Sequence, residues 1–332
     1  MRKKVLVTGA GGFIGQHLCY DLADRGCSVV GVDLHFPDGI RESNRDFYLS
    51  AATDFRNWDV MKELMDGVEI VFHLASAHLQ ISLPESEYWD INAHSLQPLL
   101  DLARRSGVQR FVHVSSVGVY GNLKTWPADE ASPCKPQSIY GETKIAGEAE
   151  VLSFARTTGF PVVILRPAWV YGPGCPRTLK IYKAFRKGRF VMIGNGNNFR
   201  HPLYIADMTD CLRLAMDKEI EQGQVFLVAG EKAITTTEFV HAFCKVLELP
   251  KPKIRIPYSL GMSIATCSEL VFGLARRDPP ISKRTLEFFD TNNAFDISKA
   301  RKVLDFNPKF SFEKGLEDSR GWLVKNGQDG RQ

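Results

Sequence analysis

Apolar residues along the chain fall into short continuous runs that alternate with longer amphipathic segments. The runs are rich in Val, Ile, Leu and Phe, as in strands that are buried on both faces of a sheet. Between the runs, apolar residues recur every three or four positions, as on one face of a helix. The alternation predicts an α/β fold, a doubly wound parallel sheet with helices on both faces. The runs that carry this prediction are 5–8, 28–32, 69–76, 110–116, 162–167 and 224–228.

This regular pattern ends at Pro167. Residues 169–174 and 194–202 are rich in Gly, Asn and Pro and predict turn-rich loops. The last hundred or so residues read mainly as helix, and no Pro/Ser-rich linker separates them from the first part. In the first part, the residue spacing predicts a helix that begins at Asn92 and carries Leu96, Leu99 and Leu100. The chain therefore divides into a larger sheet domain and a smaller, mainly helical domain that is partly interleaved with it.

Composition excludes several classes of function. The chain has 332 residues, of which 44% are hydrophobic and 24% charged, and a net charge of +4 without a long basic run, which argues against nucleic-acid binding. The seven cysteines are scattered without a Cys-x-x-Cys pair, so we expect reduced thiols rather than a disulfide frame or a metal site. The first apolar run is too short for a signal peptide, and we expect a cytoplasmic protein.

One apolar stretch bears on membrane association. Residues 256–275 approach the length of a membrane span, but Glu269 and several small polar residues interrupt them. We therefore interpret this stretch as a lid or substrate-pocket helix and predict no stable membrane span.

A glycine-rich turn lies between the first strand and the first predicted helix. Gly9, Gly12 and Gly15 form a G-x-x-G-x-x-G pattern. The first glycine permits a tight turn, the second lets the backbone approach a pyrophosphate, and the third lets the helix pack on the strand. The N-terminus of the helix then presents unpaired N–H groups to the phosphates. The pattern predicts a dinucleotide-binding site.

Two acidic residues bear on which dinucleotide binds. Asp33 ends the second strand, where a carboxylate accepts both hydroxyls of the adenosine ribose. Asp33 would repel a 2′-phosphate, and the next residues, Leu34 and His35, include no Arg to accommodate one. These features favour NAD over NADP. Asp54, after a poorly marked third strand, is placed to meet the adenine amino group.

Tyr140 and Lys144 are the strongest candidates for chemistry. Their spacing of four puts both side chains on one face of a predicted helix. A phenol titrates near pH ~10 in water, and a neighbouring ammonium lowers that pKa by stabilising the phenolate. The pair can then exchange a proton with a substrate alcohol. Ser115 and Ser116 add two hydroxyls at the end of the fifth strand.

In order and spacing, these residues resemble the extended short-chain dehydrogenase/reductase family, the NAD-dependent epimerases and dehydratases. The resemblance implies a Rossmann-type NAD-binding domain over 1–167, to which 203–230 returns, and a substrate-binding domain over 168–202 and 231–325. It also implies a homodimer joined through helices. The motifs that carry it are 8–15, Asp33, 73–75, Ser115–Ser116 with Tyr120–Gly121, Tyr140 with Lys144, 165–167 and 295–300.

The resemblance also implies roles for the site residues. Tyr140 is the acid/base, and Lys144 lowers its pKa and binds the nicotinamide ribose. Ser116 binds the reacting oxygen, a role for which Ser115 is the weaker candidate. The implied chemistry is transfer of a hydride between C4 of nicotinamide and a carbinol carbon of the substrate. The implied cofactor contacts are Gly9, Gly12, Phe13, Ile14, Gly15, Asp33, Asp54, Phe55, Leu74, Ala75, Ser76, Asn92, Tyr140, Lys144 and Pro167.

The motifs leave the reaction open between two types. Dehydratases of this family carry Asp-Glu directly after the catalytic hydroxyl residue, whereas this chain has Val117-Gly118, which cannot move a proton. We therefore predict neither 4,6-dehydration nor the related decarboxylation. The remaining reactions are 4-epimerisation of a sugar and simple alcohol/ketone oxidoreduction.

The substrate determinants point in two directions. Arg200 stands where similar epimerases place an arginine on the substrate diphosphate, with Arg277 and Arg284 as weaker candidates. Against this, Trp169 replaces the family's usual Asn, and the apolar stretch 256–275 with Pro279–Pro280 resembles 3β-hydroxysteroid dehydrogenases. We expect an epimerase for a nucleotide sugar, with Ser116, Tyr140, Trp169 and Arg200 at the substrate, and keep a dehydrogenase for an apolar alcohol as the alternative. A catalytically silent NAD-binding sensor or scaffold is a third possibility, against which the retained Ser116, Tyr140 and Lys144 argue.

Overall fold

A seven-stranded, all-parallel sheet forms the centre of the fold in this computed structural model, which describes residues 2–37, 48–78, 83–274 and 283–328. The strands are β1 (Lys4–Thr8), β2 (Ser28–Asp33), β3 (Tyr48–Ala52), β4 (Ile70–His73), β5 (Arg110–Val114), β6 (Val162–Pro167), β7 (Trp169–Tyr171), β8 (Met192–Ile193), β9 (Phe199–Arg200), β10 (Pro202–Tyr204), β11 (Gln224–Val228), β12 (Ile234–Thr235) and β13 (Arg255–Ile256). The main sheet has the order β11-β6-β5-β4-β1-β2-β3, which confirms the predicted fold class.

The helices that surround the sheet vary widely in length. They are α1 (Phe13–Asp24), α2 (Trp58–Leu64), α3 (Glu85–Trp89), α4 (Leu96–Arg105), α5 (Ile139–Thr158), α6 (Pro176–Arg186), α7 (Ile205–Asp217), α8 (Thr236–Val246), α9 (Tyr258–Leu274), α10 (Lys283–Asp290) and α11 (Phe312–Gly327). A 3₁₀ turn covers Val117–Tyr120, and π-helical turns cover Asp90–His94 and Ala300–Leu304.

The period-two alternation of the central strands explains the two-sided core. On β1, Val5 and Val7 belong to one buried cluster, with Leu18 of α1 and Leu212 of α7. Leu6, between them, belongs to the cluster on the opposite face, which α4 and α5 cover. Because both faces are buried, the strands read as continuous apolar runs.

The strand order reverses direction between β1 and β4. Strands β2 and β3 follow on one side of β1, whereas β4, β5 and β6 follow on the other. The loops after the carboxyl ends of β1 and β4 diverge at this point and leave a crevice, the usual ligand site of doubly wound sheets. The fold therefore puts the glycine turn after β1 and residues 74–76 after β4 at the same edge.

Residues after Pro167 leave the sheet and then return to it. Strand β11 pairs in parallel with β6, with Val228 opposite Pro167, and α7 packs against α1. The aromatic cluster of the C-terminal part, which we define as Trp169, Tyr171, Phe239, Phe243 and Phe312, is separate from both cores of the sheet. The proposed division into two interleaved domains follows this arrangement of strands and clusters.

Three local expectations were wrong. The helix predicted to begin at Asn92 begins instead at Glu85, as α3, and continues through the turn Asp90–His94 into α4. Pro84 is compatible with the start of this helix, and Asn92 is buried within it. Residues 169–174 are not all loop, since β7 pairs with β10. The loop predicted over 194–202 likewise includes β9, which pairs with β12. These short strands depend on partners about thirty residues away, which local periodicity does not register.

Two buried histidines stand side by side in the sheet. His73 on β4 is in register with His113 on β5, and their ring centroids are 5.6 Å apart. Nδ1 of His73 is 2.8 Å from Oγ1 of Thr8. Neither ring nitrogen of His113 has a hydrogen-bond partner among the described residues. Burial, with Lys144 nearby, lowers the pKa of His73 to about 3 and that of His113 well below its usual value.

These histidines should make the fold sensitive to acid. In the unfolded chain both rings titrate near pH ~6.5, so below that pH the unfolded chain binds protons that the folded protein excludes. The free energy of unfolding should therefore fall as the pH is lowered from about 6.5, by up to about 1.4 kcal/mol per pH unit and ring. We expect His113→Phe to reduce this slope in urea unfolding measured across that range.

The matched control is His241→Phe, which changes an exposed ring on α8. An unchanged slope in His113→Phe would mean that His113 does not cause the acid sensitivity.

Candidate active site

The start of α5 brings Tyr140 to the edge of the sheet. Ser138 caps the helix by accepting a hydrogen bond from the backbone N–H of Gly141 at 3.2 Å. A Cβ at Gly141 would lie 2.6 Å from the carbonyl oxygen of Gly118. Only glycine therefore lets α5 pack this closely on the 3₁₀ turn, and this close approach sets the position of Tyr140.

Ser116 and Tyr140 meet at this contact. Ser116 follows β5 and caps the 3₁₀ turn, its Oγ accepting from the N–H of Gly118 at 3.0 Å. The Tyr140 phenol lies close to the side chains of Ser116 and Ser76, and both hydroxyls favour its ionised form. A Cβ at Gly118 would lie 3.3 Å from Ser116 Oγ and 3.5 Å from the Tyr140 ring. Gly118 therefore lies in contact distance of both residues, and a side chain there would press on the Ser116 hydroxyl.

Lys144 lies one helical turn beyond Tyr140 and is buried. Its Nζ donates to the Val114 carbonyl at 2.7 Å, at the end of β5. Burial lowers the pKa of Lys144 to about 8, although Glu148 opposes the shift. The expectation that Lys144 leaves Tyr140 with a lowered pKa is wrong in this structure: burial raises the pKa of Tyr140, and the hydroxyls of Ser116 and Ser76 only oppose the rise.

A buried polar network lies behind the Ser/Tyr/Lys trio. Glu148 of α5 pairs with Arg166 of β6 at 2.6 Å and accepts from Ser115 Oγ at 2.5 Å. Arg166 also donates to the Tyr120 hydroxyl at 2.6 Å. Ser115 thus turns toward Glu148, which leaves Ser116 as the serine at Tyr140. The sequence analysis missed Glu148, whose signal was its position four residues after Lys144 on the same helical face.

The glycine turn has the tight geometry that the pattern predicts. Gly9 has a φ of 73°, and a Cβ there would lie 2.6 Å from the backbone nitrogen of Ala75. A Cβ at Gly15 would lie 2.1 Å from the carbonyl oxygen of Gly9. Helix α1 begins after Gly12 without a side-chain cap, at the crevice between β1 and β4. The backbone N–H groups of its first turn, which includes Phe13 and Ile14, suit the pyrophosphate of NAD.

Asp33 lies directly beside this turn. One of its carboxylate oxygens accepts from the N–H of Gly11 at 2.9 Å, and the other accepts from the N–H of His35 at 3.3 Å. The carboxylate is therefore held at the end of β2, next to the turn. This position fits the ribose hydroxyls of NAD, because a carboxylate can accept from both.

Asn92 holds the segment after β4 in place. Its Oδ1 accepts from Ser76 Oγ and from the N–H of Ala77, both at 2.9 Å, and its Nδ2 donates to Thr143 Oγ1 at 3.0 Å. Asn92 is buried and thereby links Ser76 to α5. Its side chain is engaged within the protein, which favours a positioning role over the cofactor contact implied by the resemblance.

The remaining cofactor candidates have different surroundings. Leu74 and Ala75 follow β4, where they pack against the glycine turn. Asp54 forms an ion pair with Arg56 at 2.8 Å, and the hydrogen bond from Arg56 lowers the pKa of Asp54. Phe55 is buried, with its ring centroid 5.1 Å from that of His73. Pro167 ends β6 in a buried position.

The two substrate candidates lie in the C-terminal part. Arg200, on β9, is buried and donates hydrogen bonds to the Phe288 carbonyl and to Thr291 Oγ1. Its guanidinium carbon lies 4.5 Å from the centroid of the Phe288 ring. Trp169 is half-buried in the aromatic cluster, 5.4 Å from Phe239 between ring centroids. No contact described here joins either residue to the trio. Arg277 and the side chain of Arg284 lie outside the described residues.

His78 was not singled out by the sequence. Its exposed ring contacts the Tyr140 ring edge-on, with centroids 4.4 Å apart. The only available signal was its position two residues after Ser76. An imidazole therefore borders the Tyr140 phenol on the solvent side.

Comparisons with known proteins show the family to which the chain is similar. The family model described as the NAD dependent epimerase/dehydratase family matches residues 5–229. A 3β-hydroxysteroid-dehydrogenase/decarboxylase (isoform 1) of Arabidopsis thaliana is 29% identical, over 94% of this chain and 77% of that protein. The solved UDP-glucose 4-epimerase of Thermotoga maritima with UDP-glucose is 26% identical, covers 97% of this chain and 99% of its own, and has a TM-score of 0.78.

A third similar protein was solved with a cofactor. MoeE5 in complex with UDP-glucose and NAD is 26% identical, covers 97% of this chain and 99% of its own, and has a TM-score of 0.77. The glycine turn, Asp33 and the Ser116–Tyr140–Lys144 arrangement fit the same cofactor. The chain therefore belongs to the NAD-dependent epimerase/dehydratase family of extended short-chain dehydrogenases/reductases.

Proposed function

We propose that this protein is a nucleotide-sugar epimerase that acts at C4 of the sugar by transient hydride transfer. The observation that carries the proposal is the Tyr140 phenol beside the side chains of Ser116 and Ser76, one helical turn from Lys144. This arrangement lies at the same edge of the sheet as the glycine turn. The similarity to a UDP-glucose 4-epimerase over nearly the whole chain supports the choice of substrate class.

The residues of the trio would share the work of moving one proton. When bound, NAD supplies the hydride acceptor and donor. Ser116 Oγ, oriented by the N–H of Gly118, holds the reacting hydroxyl against Tyr140. Tyr140 takes the hydroxyl proton and returns it after the keto group has turned. Because burial opposes the phenolate, the positive charge of Lys144 is needed close by when the proton is taken.

Arg200 gives the nucleotide-sugar proposal its anion-binding candidate. Its guanidinium is buried in the C-terminal part, and Thr291 and the Phe288 carbonyl fix its orientation. A guanidinium that is held in this way can still present N–H groups to a diphosphate, because it has five donors in a planar fork.

A second candidate function is an NAD-dependent dehydrogenase or ketone reductase for an apolar alcohol. The observation that favours it is the aromatic cluster, in which Trp169 packs against Phe239 and Phe312. The Arabidopsis relative, a hydroxysteroid dehydrogenase/decarboxylase, supports the same class. Because that relative is also a decarboxylase, the predicted absence of decarboxylation should be measured directly.

Product analysis distinguishes these functions. The purified protein would be incubated with NAD and either UDP-hexoses or steroid alcohols, followed by mass spectrometry and by the absorbance of NADH. The proposed epimerase should form a product of unchanged mass without accumulation of NADH. Accumulation of NADH with a ketone product would identify the dehydrogenase instead. Loss of water from the nucleotide sugar would contradict the argument from Val117 and Gly118.

Replacing the catalytic phenol tests the proposed chemistry. Tyr140→Phe should leave NAD affinity nearly unchanged and lower kcat about a hundredfold or more, the usual scale for loss of a general acid/base. Calorimetry would give the affinity and steady-state kinetics the rate. Tyr182→Phe, which changes a buried phenol in the C-terminal part, is the matched control. A Tyr140→Phe enzyme within a few-fold of the wild type would refute the assignment.

Cofactor preference tests Asp33. NAD should bind far more tightly than NADP, because the 2′-phosphate would face the Asp33 carboxylate. Asp33→Ala should narrow this difference, while Asp24→Ala, an exposed change on α1, should leave it unchanged. Equal affinities of the wild-type protein for the two cofactors would contradict the role of Asp33.

Arg200 and Trp169 discriminate between the two substrate classes. If the substrate is a nucleotide sugar, Arg200→Ala should raise its KM about tenfold to a hundredfold, since a charge-assisted bond to phosphate contributes about 1.5–3 kcal/mol. The wild-type KM should then also rise with salt. If the substrate is an apolar alcohol, Trp169→Ala should be the damaging change.

Both variants would be assayed on whichever substrate proves active, with Arg189→Ala, at an exposed position, as the control. A harmless Arg200→Ala beside an inactive Trp169→Ala would replace the epimerase proposal with the dehydrogenase.

A further inference from the structure

Helix α9 packs Met262 and Ala265 against a buried cluster and leaves four large apolar residues exposed to solvent. Gly261 and Ala265 are buried, and a Cβ at Gly261 would lie 2.8 Å from the side chain of Ile193. Outward, Leu260 is 49%, Ile264 41%, Leu270 66% and Val271 63% exposed. A surface helix of a water-soluble protein usually has charged or polar side chains on its outer face, because burying large apolar side chains stabilises the fold.

The exposed apolar residues form one continuous stripe. Leu260, Ile264, Cys267 and Val271 follow the spacing i, i+4, i+7 and i+11, which places them on one helical face, with Leu270 beside them. We call these five residues the α9 stripe. The other exposed residues among those described from 258 to 272 are serines, so this face carries no charged side chain. A contiguous apolar surface of this kind marks a site of contact with another apolar body.

Basic residues stand immediately before the helix. Lys251, Lys253 and Arg255 are exposed, and Glu269 is the only acidic residue in the segment from 251 to 274. Ile254, between the basic residues, is also exposed. An apolar stripe with basic residues at its end is complementary to a bilayer surface that offers anionic headgroups above hydrocarbon.

The alternative occupants fit this surface less well. A second copy of the chain docked by two-fold symmetry would present the same segment, whose single acidic residue, Glu269, cannot neutralise the basic residues of both copies. Insertion across the bilayer is not supported, since no helix within the described ranges has the length and apolar content of a membrane span. A helix that lies in the plane of the interface satisfies both observations.

We propose that the α9 stripe docks this protein on the surface of an anionic lipid bilayer. The inference goes beyond the proposed chemistry and does not depend on which alcohol is the substrate. The stripe enters the boundary between headgroups and acyl chains, and Lys251 and Lys253 meet the anionic headgroups. Arg255 adds its positive charge nearby, while its guanidinium donates to the carbonyls of Gly194 and Asn195. The rest of the protein stays in water.

Vesicle co-sedimentation of the full-length protein tests the proposal without any substrate. Vesicles of phosphatidylcholine alone would be compared with vesicles that also contain phosphatidylglycerol. We expect binding to the anionic vesicles that weakens with salt. Leu270→Glu should lower the partition coefficient about tenfold or more, because it puts a charge on the buried side of the contact. The Lys251→Ala/Lys253→Ala double variant should lower it about fivefold per residue on anionic vesicles.

The matched control is Val324→Glu, which places the same charge on an exposed apolar position of α11 and should bind like the wild type. Leu270 is highly exposed, so Leu270→Glu should fold normally; Ile264→Ser, a milder change in the same stripe, gives a second measure of the same effect. The proposal would be overturned if the wild-type protein did not bind the anionic vesicles, or if Leu270→Glu bound them as well as the wild type does. The proposal would also be overturned if the wild-type protein were a dimer in ultracentrifugation and Leu270→Glu were a monomer, since the stripe would then be a contact between two copies of the chain.

Discussion

The buried ion pair between Glu148 and Arg166 fixes helix α5, which carries Tyr140 and Lys144, to the central sheet. Glu148 lies on α5 and Arg166 on β6, and both side chains are almost fully removed from water. Breaking such a pair by removing one partner usually costs about 3–5 kcal/mol, because the other charge is left buried. Ser115 and Tyr120 extend the pair to the segment after β5. The positions of Ser116, Tyr140 and Lys144 therefore depend on a contact that takes no part in proton transfer.

Much of the fold and of the central site followed from local patterns. Strands buried on both faces are continuous apolar runs, so the order of strands and helices could be predicted as far as Pro167. Gly9, Gly12 and Gly15, and Tyr140 with Lys144, were identifiable because their geometry depends on residues a few positions apart. The structure places them as those spacings require.

The features that the sequence did not predict depend on contacts between distant segments. Asn92 is buried in a continuous helix because it bonds Ser76 and Thr143, which local periodicity does not register. The raised pKa of Tyr140 reflects burial in the folded protein, whereas the sequence showed only the spacing to Lys144. The surroundings of Arg200 are set by Phe288, almost ninety residues further along the chain. The reaction could therefore be inferred from sequence more readily than the substrate.

The path of the chain between the sheet and the C-terminal part has a mechanical consequence. The backbone leaves the sheet after Pro167, returns to it by way of β10 and α7, and leaves it again after Val228. In addition, β7 and β10, on two of these connections, are hydrogen-bonded to each other. Several connections close together act as a stiff joint, because a rotation that relaxes one strains the others. Relative motion of the two parts should thus be confined to a small rocking about this joint, and entry to the crevice should depend on loops rather than on wide opening of the molecule.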